Sequence, residues 1–212
     1  MKEKEFIDNY RDLPLGKYLD IIRVCEQEDN EVDRKVAILA ILSGKSEDDV
    51  LNLPLAKFTE YSAKAKFLER ECPDNLIPSV SRSYPIGGFV LIPATDIRKI
   101  TAAQYIDFKT FAEDREHNMV ELLSCFLIPR GCDYADGYDI ADVHRAIREE
   151  LSVAECLALL AFFFRRWAGS IRDTLTYSVR LARRIKDEET RERVTMETKA
   201  ALDLLKNGVG LQ

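Results

Sequence analysis

Apolar side chains recur at every third or fourth position along most of the chain, which is the periodicity of amphipathic helices. The first such stretch follows Pro14 and brings Leu15, Leu19, Ile22 and Cys25 to one helical face. Proline is favoured near the first position of a helix because its missing N–H would have no helical partner there. A second helix is predicted over 32–43.

Two segments that begin helices resemble each other. DLPLGKYLD (12–20) and NLPLAKFTE (52–60) are alike at most positions. They represent either a duplicated helical unit or two independent uses of one way of starting a helix. We favour independent use, because the similarity ends with these segments. Between them, Ser46 is predicted to cap a short helix, SEDDVLNL.

The middle of the chain changes from helical to alternating periodicity. Val80, Tyr84 and Ile86 occupy alternate positions, and Gly87-Gly88 separates them from the apolar run FVLI. A Gly-Gly pair between apolar runs is typical of a tight hairpin, since both residues can adopt positive φ. The sequence therefore predicts a small β-hairpin near residues 80–92, with Pro85 on an edge strand.

Two capping boxes start the later helices. Thr101 with Gln104, and Ser152 with Glu155, have the spacing at which two side chains satisfy two free backbone donors. The helix that begins after Ser152 is apolar on all sides, as in a core or at an interface. A last amphipathic helix is predicted, with these residues on one side: Val194, Ala201, Leu202 and Leu205.

These elements predict a mainly α protein, a multi-helix bundle-like domain with one small β-hairpin. We predict that the chain consists of an N-terminal helical subdomain, 1–75, and a C-terminal helical subdomain, 76–212, in which the hairpin precedes the helices. A single domain is the alternative.

Composition and charge narrow the functional classes. The net charge of −6 argues against general nucleic-acid binding, which needs a basic surface. The longest apolar run, 153–164, contains a glutamate and is followed by Arg165 and Arg166, so it is too short to span a bilayer. The first residues contain no apolar segment typical of a secretion signal. Five scattered cysteines then indicate reduced thiols in a cytoplasm.

The stretch GCDYADGYDIADV (131–143) raises the question of a bound cation because it carries four aspartates. A calcium loop needs oxygen ligands at positions 1, 3 and 5, glycine at 6 and glutamate at 12, and neither register of this stretch provides them. We interpret it as a polar turn in which Asp139 caps the next helix and Asp142 lies near the positive end of that helix. No metal is predicted.

The sequence contains no recognisable set of catalytic residues. It has only two histidines, His117 and His144, and neither belongs to an HExxH motif or a usual zinc module. The segment LSGKS lacks the upstream glycine of a phosphate-binding loop and is interpreted as a helix end before Ser46. GxSxG is absent. We expect no enzyme activity and no cofactor.

A basic segment near the C-terminus is a candidate face for nucleic acid or an acidic partner. The alternative, which we favour, is a solvated helix face balanced by nearby acidic segments, because no aromatic side chains are interleaved for stacking. The arginines of this basic face are Arg165, Arg166, Arg172, Arg180, Arg183 and Arg184.

Several phrases, in order, resemble proteins of tailed phages and prophages that look like tail assembly chaperones. They are GKYLDII, VLNLPLAKF, KITAAQYIDF, LIPRG, GYDIADVHRAI and SVAECLALLAFFF. The resemblance spans most of the chain and is strongest in ITAAQYIDF and SVAECLALLAFFF.

The resemblance implies a non-enzymatic protein of the bacterial host cytoplasm. Such chaperones bind the long helical tape-measure protein before the tail tube forms around it, which shields apolar segments from aggregation. Another tail protein as partner, and self-association into a homo-oligomer, are further expectations. The alternative is a structural component of the tail or baseplate, located in the virion. Candidate partner-binding residues are Tyr105, Phe108, Phe111, Phe162, Phe163 and Trp167.

Overall fold

The computed structural model describes residues 6–96, 99–182 and Met196. Within them the protein is mainly α, as predicted, with a small antiparallel sheet. The helices are α1 (Leu15–Gln27), α2 (Glu31–Ser43), α3 (Glu47–Leu51), α4 (Leu55–Lys64), α5 (Ala102–Phe111), α6 (Met119–Ser124), α7 (Ile140–Glu150) and α8 (Val153–Ala182), with 3-10 turns at Ala65–Glu69 and Asp74–Leu76. The predicted amphipathic helix containing Val194, Ala201, Leu202 and Leu205 lies outside the described residues.

The hairpin prediction is confirmed. β1 (Tyr84–Ile86) and β2 (Phe89–Pro93) pair antiparallel around Gly87 and Gly88, whose φ angles are +56° and +78°. Pro85 lies on the edge strand β1, where its missing N–H interrupts no ladder. A third strand, β3 (Leu127–Pro129), pairs with the other side of β2 and was not predicted.

The predicted helix starts are present in the structure. Ser46 caps α3, and its hydroxyl oxygen accepts from the backbone N–H of Asp49 at 3.1 Å. The side chain of Asp139 accepts from the N–H of Ala141 at 2.8 Å, so the aspartate-rich turn starts α7 as expected. Upstream of α3, Gly44 ends α2 with φ +66°, which agrees with interpreting LSGKS as a helix end.

The main core joins the N-terminal part of the chain to the start of α8. Leu13, which precedes α1, and Val36 and Leu39 of α2 pack in one cluster with Val153 and Ala154 from the start of α8. Backbone hydrogen bonds reinforce this junction: the N–H of Leu15 donates to Leu151 O at 2.8 Å. The N–H of Val153 donates to Leu13 O at 2.9 Å. The apolar start of α8 is therefore a core element.

The chain divides into two compact units. One comprises Met1–Pro93 and Thr101–Leu160, and the other comprises Ala94–Ile100 and Ala161–Gln212. The start of α8 and the hairpin belong to the same unit as the N-terminal helices. The boundary between 1–75 and 76–212, with a single domain as the alternative, stays a prediction. The helix α8 contributes residues to both units.

Candidate interaction surfaces

Helix α5 is anchored by one polar and one aromatic side chain. Gln104 is buried, and its side-chain oxygen accepts from the N–H of Thr101 at 2.8 Å, which completes the predicted capping box. Its amide nitrogen donates to Cys125 O at 3.0 Å. Phe108 is 3% exposed and meets the ring of Phe126 edge-on, with centroids 5.1 Å apart. These contacts determine which face of α5 points inward.

The opposite face of α5 is exposed and largely apolar. Tyr105 is 44% exposed and Ile106 is 60% exposed. Ala102 and Lys109, which are also exposed, lie three or four residues away, so the four side chains are neighbours on the helix surface. We call these four residues the α5 face. Ile106 was not among the predicted contact residues, because only aromatic side chains were considered as candidates.

The sequence-predicted partner contacts do not lie on one surface. Among those in α5, Tyr105 is exposed, Phe111 is partly buried, and Phe108 belongs to the core. In α8, Phe163 is 1% exposed and Phe162 is partly buried. The expected position of Phe108 and Phe163 on a surface is therefore corrected: each fills an interior position instead. The side chain of Trp167 lies outside the described part of the structure.

The basic face is described only at its beginning. Arg165 and Arg166 are exposed in α8, and the guanidinium of Arg166 lies 5.3 Å from the ring centroid of Phe162. The Nε of Arg165 donates to Ala161 O at 3.1 Å. Arg172 and Arg180 belong to α8, but their side chains, and all of Arg183 and Arg184, lie outside the described residues.

A second apolar surface is a groove of about 490 Å³ between α2 and the end of α4. Its apolar lining includes Ile38, Leu39 and Leu68, and its polar rim includes Arg34, Lys35, Lys66, Glu31 and Glu69. Next to it, Leu55 at the start of α4 is 80% exposed. A leucine this exposed contributes little to the packing of its own chain.

The aspartate-rich turn is held by aromatic side chains. The hydroxyl of Tyr134 donates to Asp107 Oδ2 at 2.7 Å, and the hydroxyl of Tyr138 accepts from the N–H of Ala135 at 3.1 Å. Asp133 and Asp136 are exposed. Among the described residues, no group of three or more His, Cys, Asp or Glu side chains could hold a metal ion.

One serine–histidine pair has the separation of a catalytic pair but a different bonding pattern. The Nε2 of His144 lies 2.9 Å from Ser124 Oγ. The Ser124 hydroxyl donates to the backbone oxygen of Glu121 at 2.8 Å, which leaves its oxygen to accept from the tautomer of His144 that carries the proton on Nε2. Ser124 is also buried, where a substrate could not reach it. The pair stabilises the packing of α6 on α7.

Burial also keeps the neighbouring thiol protonated. It raises the pKa of Cys125 to about 12, and it raises the pKa of the nearby Tyr134 hydroxyl as well. The pKa of His144 is lowered, chiefly by burial, with Glu121 acting in the opposite direction. One oxygen of Glu121, Oε2, is buried without a hydrogen-bond partner. The thiol of Cys125 is therefore protonated near neutral pH, which makes it a poor nucleophile.

Comparison with protein-family models, with curated proteins and with solved structures finds no match to this chain. Within the part of the chain that the structure describes, no helix is long and apolar enough to cross a membrane.

Proposed function

We propose that this protein is a non-enzymatic tail assembly chaperone that binds apolar helical segments of a tape-measure protein through the α5 face. The main support for the proposal is the exposure of Tyr105 and Ile106 on one side of α5. The opposite side of the helix contacts the rest of the protein through Gln104 and Phe108. The resemblance of the ITAAQYIDF segment to tail assembly chaperones supports the identity of the partner.

The shape and chemistry of the α5 face are suited to temporary binding. Ile106 and Ala102 offer apolar area without polar groups to be matched, so many apolar sequences can pack on them. Lys109 at the edge adds a charge that remains in solvent, where an ion pair contributes little affinity. Such a surface covers an apolar helix and still releases it when the tube protein polymerises.

Co-expression with the adjacent tape-measure gene tests the proposal. We expect the tape-measure protein to become more soluble and to co-purify with this chain. Ile106→Glu should reduce co-purification by at least about tenfold, since burying an unpaired carboxylate on the apolar face costs more than 1.4 kcal/mol. Val32→Glu, at a side chain of similar exposure (63% against 60%) on α2, is the matched control for folding and solubility. Unchanged solubility and no complex would refute the proposal.

Mass spectrometry of purified phage particles distinguishes the chaperone function from the alternative of a structural component. A chaperone leaves before the tail is complete, so its peptides should be absent from mature particles in which the tube protein is abundant. Peptides of this chain present at a fixed ratio to a baseplate protein would instead establish the structural alternative.

A further inference from the structure

Helix α4 exposes an apolar stripe in which the side-chain hydroxyls already have hydrogen-bond partners within the helix. Leu55, Thr59 and Ala63 are exposed and lie four residues apart, so they follow one line along the helix. The hydroxyl of Thr59 donates to Leu55 O at 2.9 Å within the helix. That of the neighbouring Ser62 donates to Phe58 O at 2.8 Å. With both hydroxyls satisfied internally, the stripe can be covered without leaving a polar group unpaired.

Charges of opposite sign lie at the two ends of this stripe. At the beginning of α4, the short helix α3 exposes Glu47, Asp48 and Asp49. About 15 Å further along, at the end of a ten-residue helix, Lys64 and Lys66 are exposed. Lys35 from α2 lies on the same rim as Lys66, together with Glu31 and Glu69.

Two lysines of α4, one near each end of the stripe, share a single carboxylate. Glu60, in the middle of α4, lies 3.0 Å from Lys57 and 3.1 Å from Lys64, and so is compensated within the helix. The acidic side chains of α3 lie beyond these pairs. The stripe therefore runs from an acidic end with the exposed Leu55 to the end with the apolar groove. That end is basic by a net single charge, since its rim carries Arg34, Lys35 and Lys66 against Glu31 and Glu69.

This arrangement is complementary to itself when reversed. If two copies of α4 pack antiparallel about a two-fold axis near Thr59, Leu55 of each copy meets Ala63 and the groove of the other. The acidic end of one copy then meets the basic end of the other. The small side chain of Ala63 leaves room for a leucine and allows the helix axes to approach closely.

We propose that the protein forms a two-fold symmetric homodimer through α4, in which Leu55 of each copy enters the groove lined by Ile38 and Leu68 of the other. The occupant of the surface is thus a second copy of this chain. The charge polarity argues for it, because an unrelated partner would not need to present the same acidic and basic ends in reverse order.

Sedimentation equilibrium of the full chain tests the dimer. We expect a concentration-dependent mass that reaches twice that of the monomer. Leu55→Glu should raise the dissociation constant at least about tenfold, the effect of removing one anchor worth more than 1.4 kcal/mol. Ile106→Glu, on the α5 face, is the matched control and should leave the dissociation constant unchanged. A monomeric wild-type protein, or equal effects of the two variants, would overturn the proposal.

Charge reversal gives a second test that does not depend on Leu55. Glu47→Lys with Asp48→Lys, and separately Lys35→Glu with Lys66→Glu, should each weaken self-association because like charges then face each other. Mixing the two variants should restore a dimer, since both contacts of the mixed pair regain opposite signs. Circular dichroism of each variant checks that it is folded. Failure of the folded variants to form a mixed dimer would refute the antiparallel arrangement.

Discussion

The backbone N–H of Gly87 donates to the carboxylate of Glu150 at 2.8 Å and thereby joins the hairpin turn to the end of α7. The hairpin and α7 are 63 residues apart in sequence, so this bond is one of the contacts that place the small sheet on the helices. We expect Glu150→Ala to lower the free energy of unfolding by about 1 kcal/mol, the net contribution of one hydrogen bond.

Chemical denaturation measures this effect, and the neighbouring Glu149→Ala is the matched control. Both side chains are exposed near the end of α7, so removing either changes the charge at this helix end equally. Equal losses of stability in the two variants would show that the bond to Gly87 contributes nothing.

Gly87→Ala should be much more destabilising than Gly88→Ala. Both residues have positive φ, but a Cβ at Gly87 would overlap the side chain of Ala146, whereas a Cβ at Gly88 would meet nothing within 4 Å. The expected losses are about 3 kcal/mol for Gly87→Ala and about 1 kcal/mol for Gly88→Ala. Thermal unfolding of the two variants provides the comparison. A similar loss in both would mean that the turn does not pack on α7.

Stability should fall at alkaline pH through one exposed histidine. His117 lies between Asp114, at 2.9 Å, and Glu26, at 3.0 Å, and the bonds to these carboxylates raise its pKa from 6.5 to about 9. Because the folded-state pKa is the higher one, the stabilisation is complete below about pH 6.5 and is lost as the pH rises through about 9.

The difference in stability between the wild type and His117→Gln measures this contribution across the pH range. The difference should be largest near pH 6.5 and decrease as the pH rises toward 9. It should also become smaller in high salt, because all three side chains are exposed. A difference that stays constant with pH would show that folding does not raise the pKa of His117.

The five cysteines should react at distinct rates with a thiol reagent. Cys25 is exposed, whereas Cys125 and Cys156 are buried. Burial also raises the pKa of Cys125 to about 12, so little thiolate is present near neutral pH. We expect mass spectrometry to find Cys25 modified first, and Cys125 and Cys156 modified only after denaturation. Equal modification of all five in the native protein would contradict the described core.

Local signals predicted the boundaries of several elements correctly. Ser46, Thr101, Asp139 and Ser152 each cap a helix, because a short side chain that satisfies free N–H groups works within one turn of the chain. Gly87-Gly88 specified the hairpin for the same reason: a tight turn needs only the positive φ of its own two residues.

Long-range pairing could not be predicted in this way. Strand β3 has only three residues, and neither Leu127 nor Ile128 indicates that the strand will hydrogen-bond to β2, more than thirty residues upstream. The exposed side of α5 was also undetermined, since Tyr105 and Phe108 are both apolar aromatic residues at helical spacing. Contact with Phe126 buries Phe108, and that contact depends on how α5 packs near α6.

The two Leu-Pro-Leu segments show which properties the local sequence determines and which depend on tertiary packing. The local sequence was sufficient for a helix to begin after Pro14 and after Pro54, since proline restricts the backbone wherever it occurs. It could not specify that Leu15 would be fully buried, with its N–H bonded to Leu151 O between α7 and α8, while Leu55 would be 80% exposed. Burial depends on which distant segment covers a side chain, and only the folded arrangement of the whole chain supplies that neighbour.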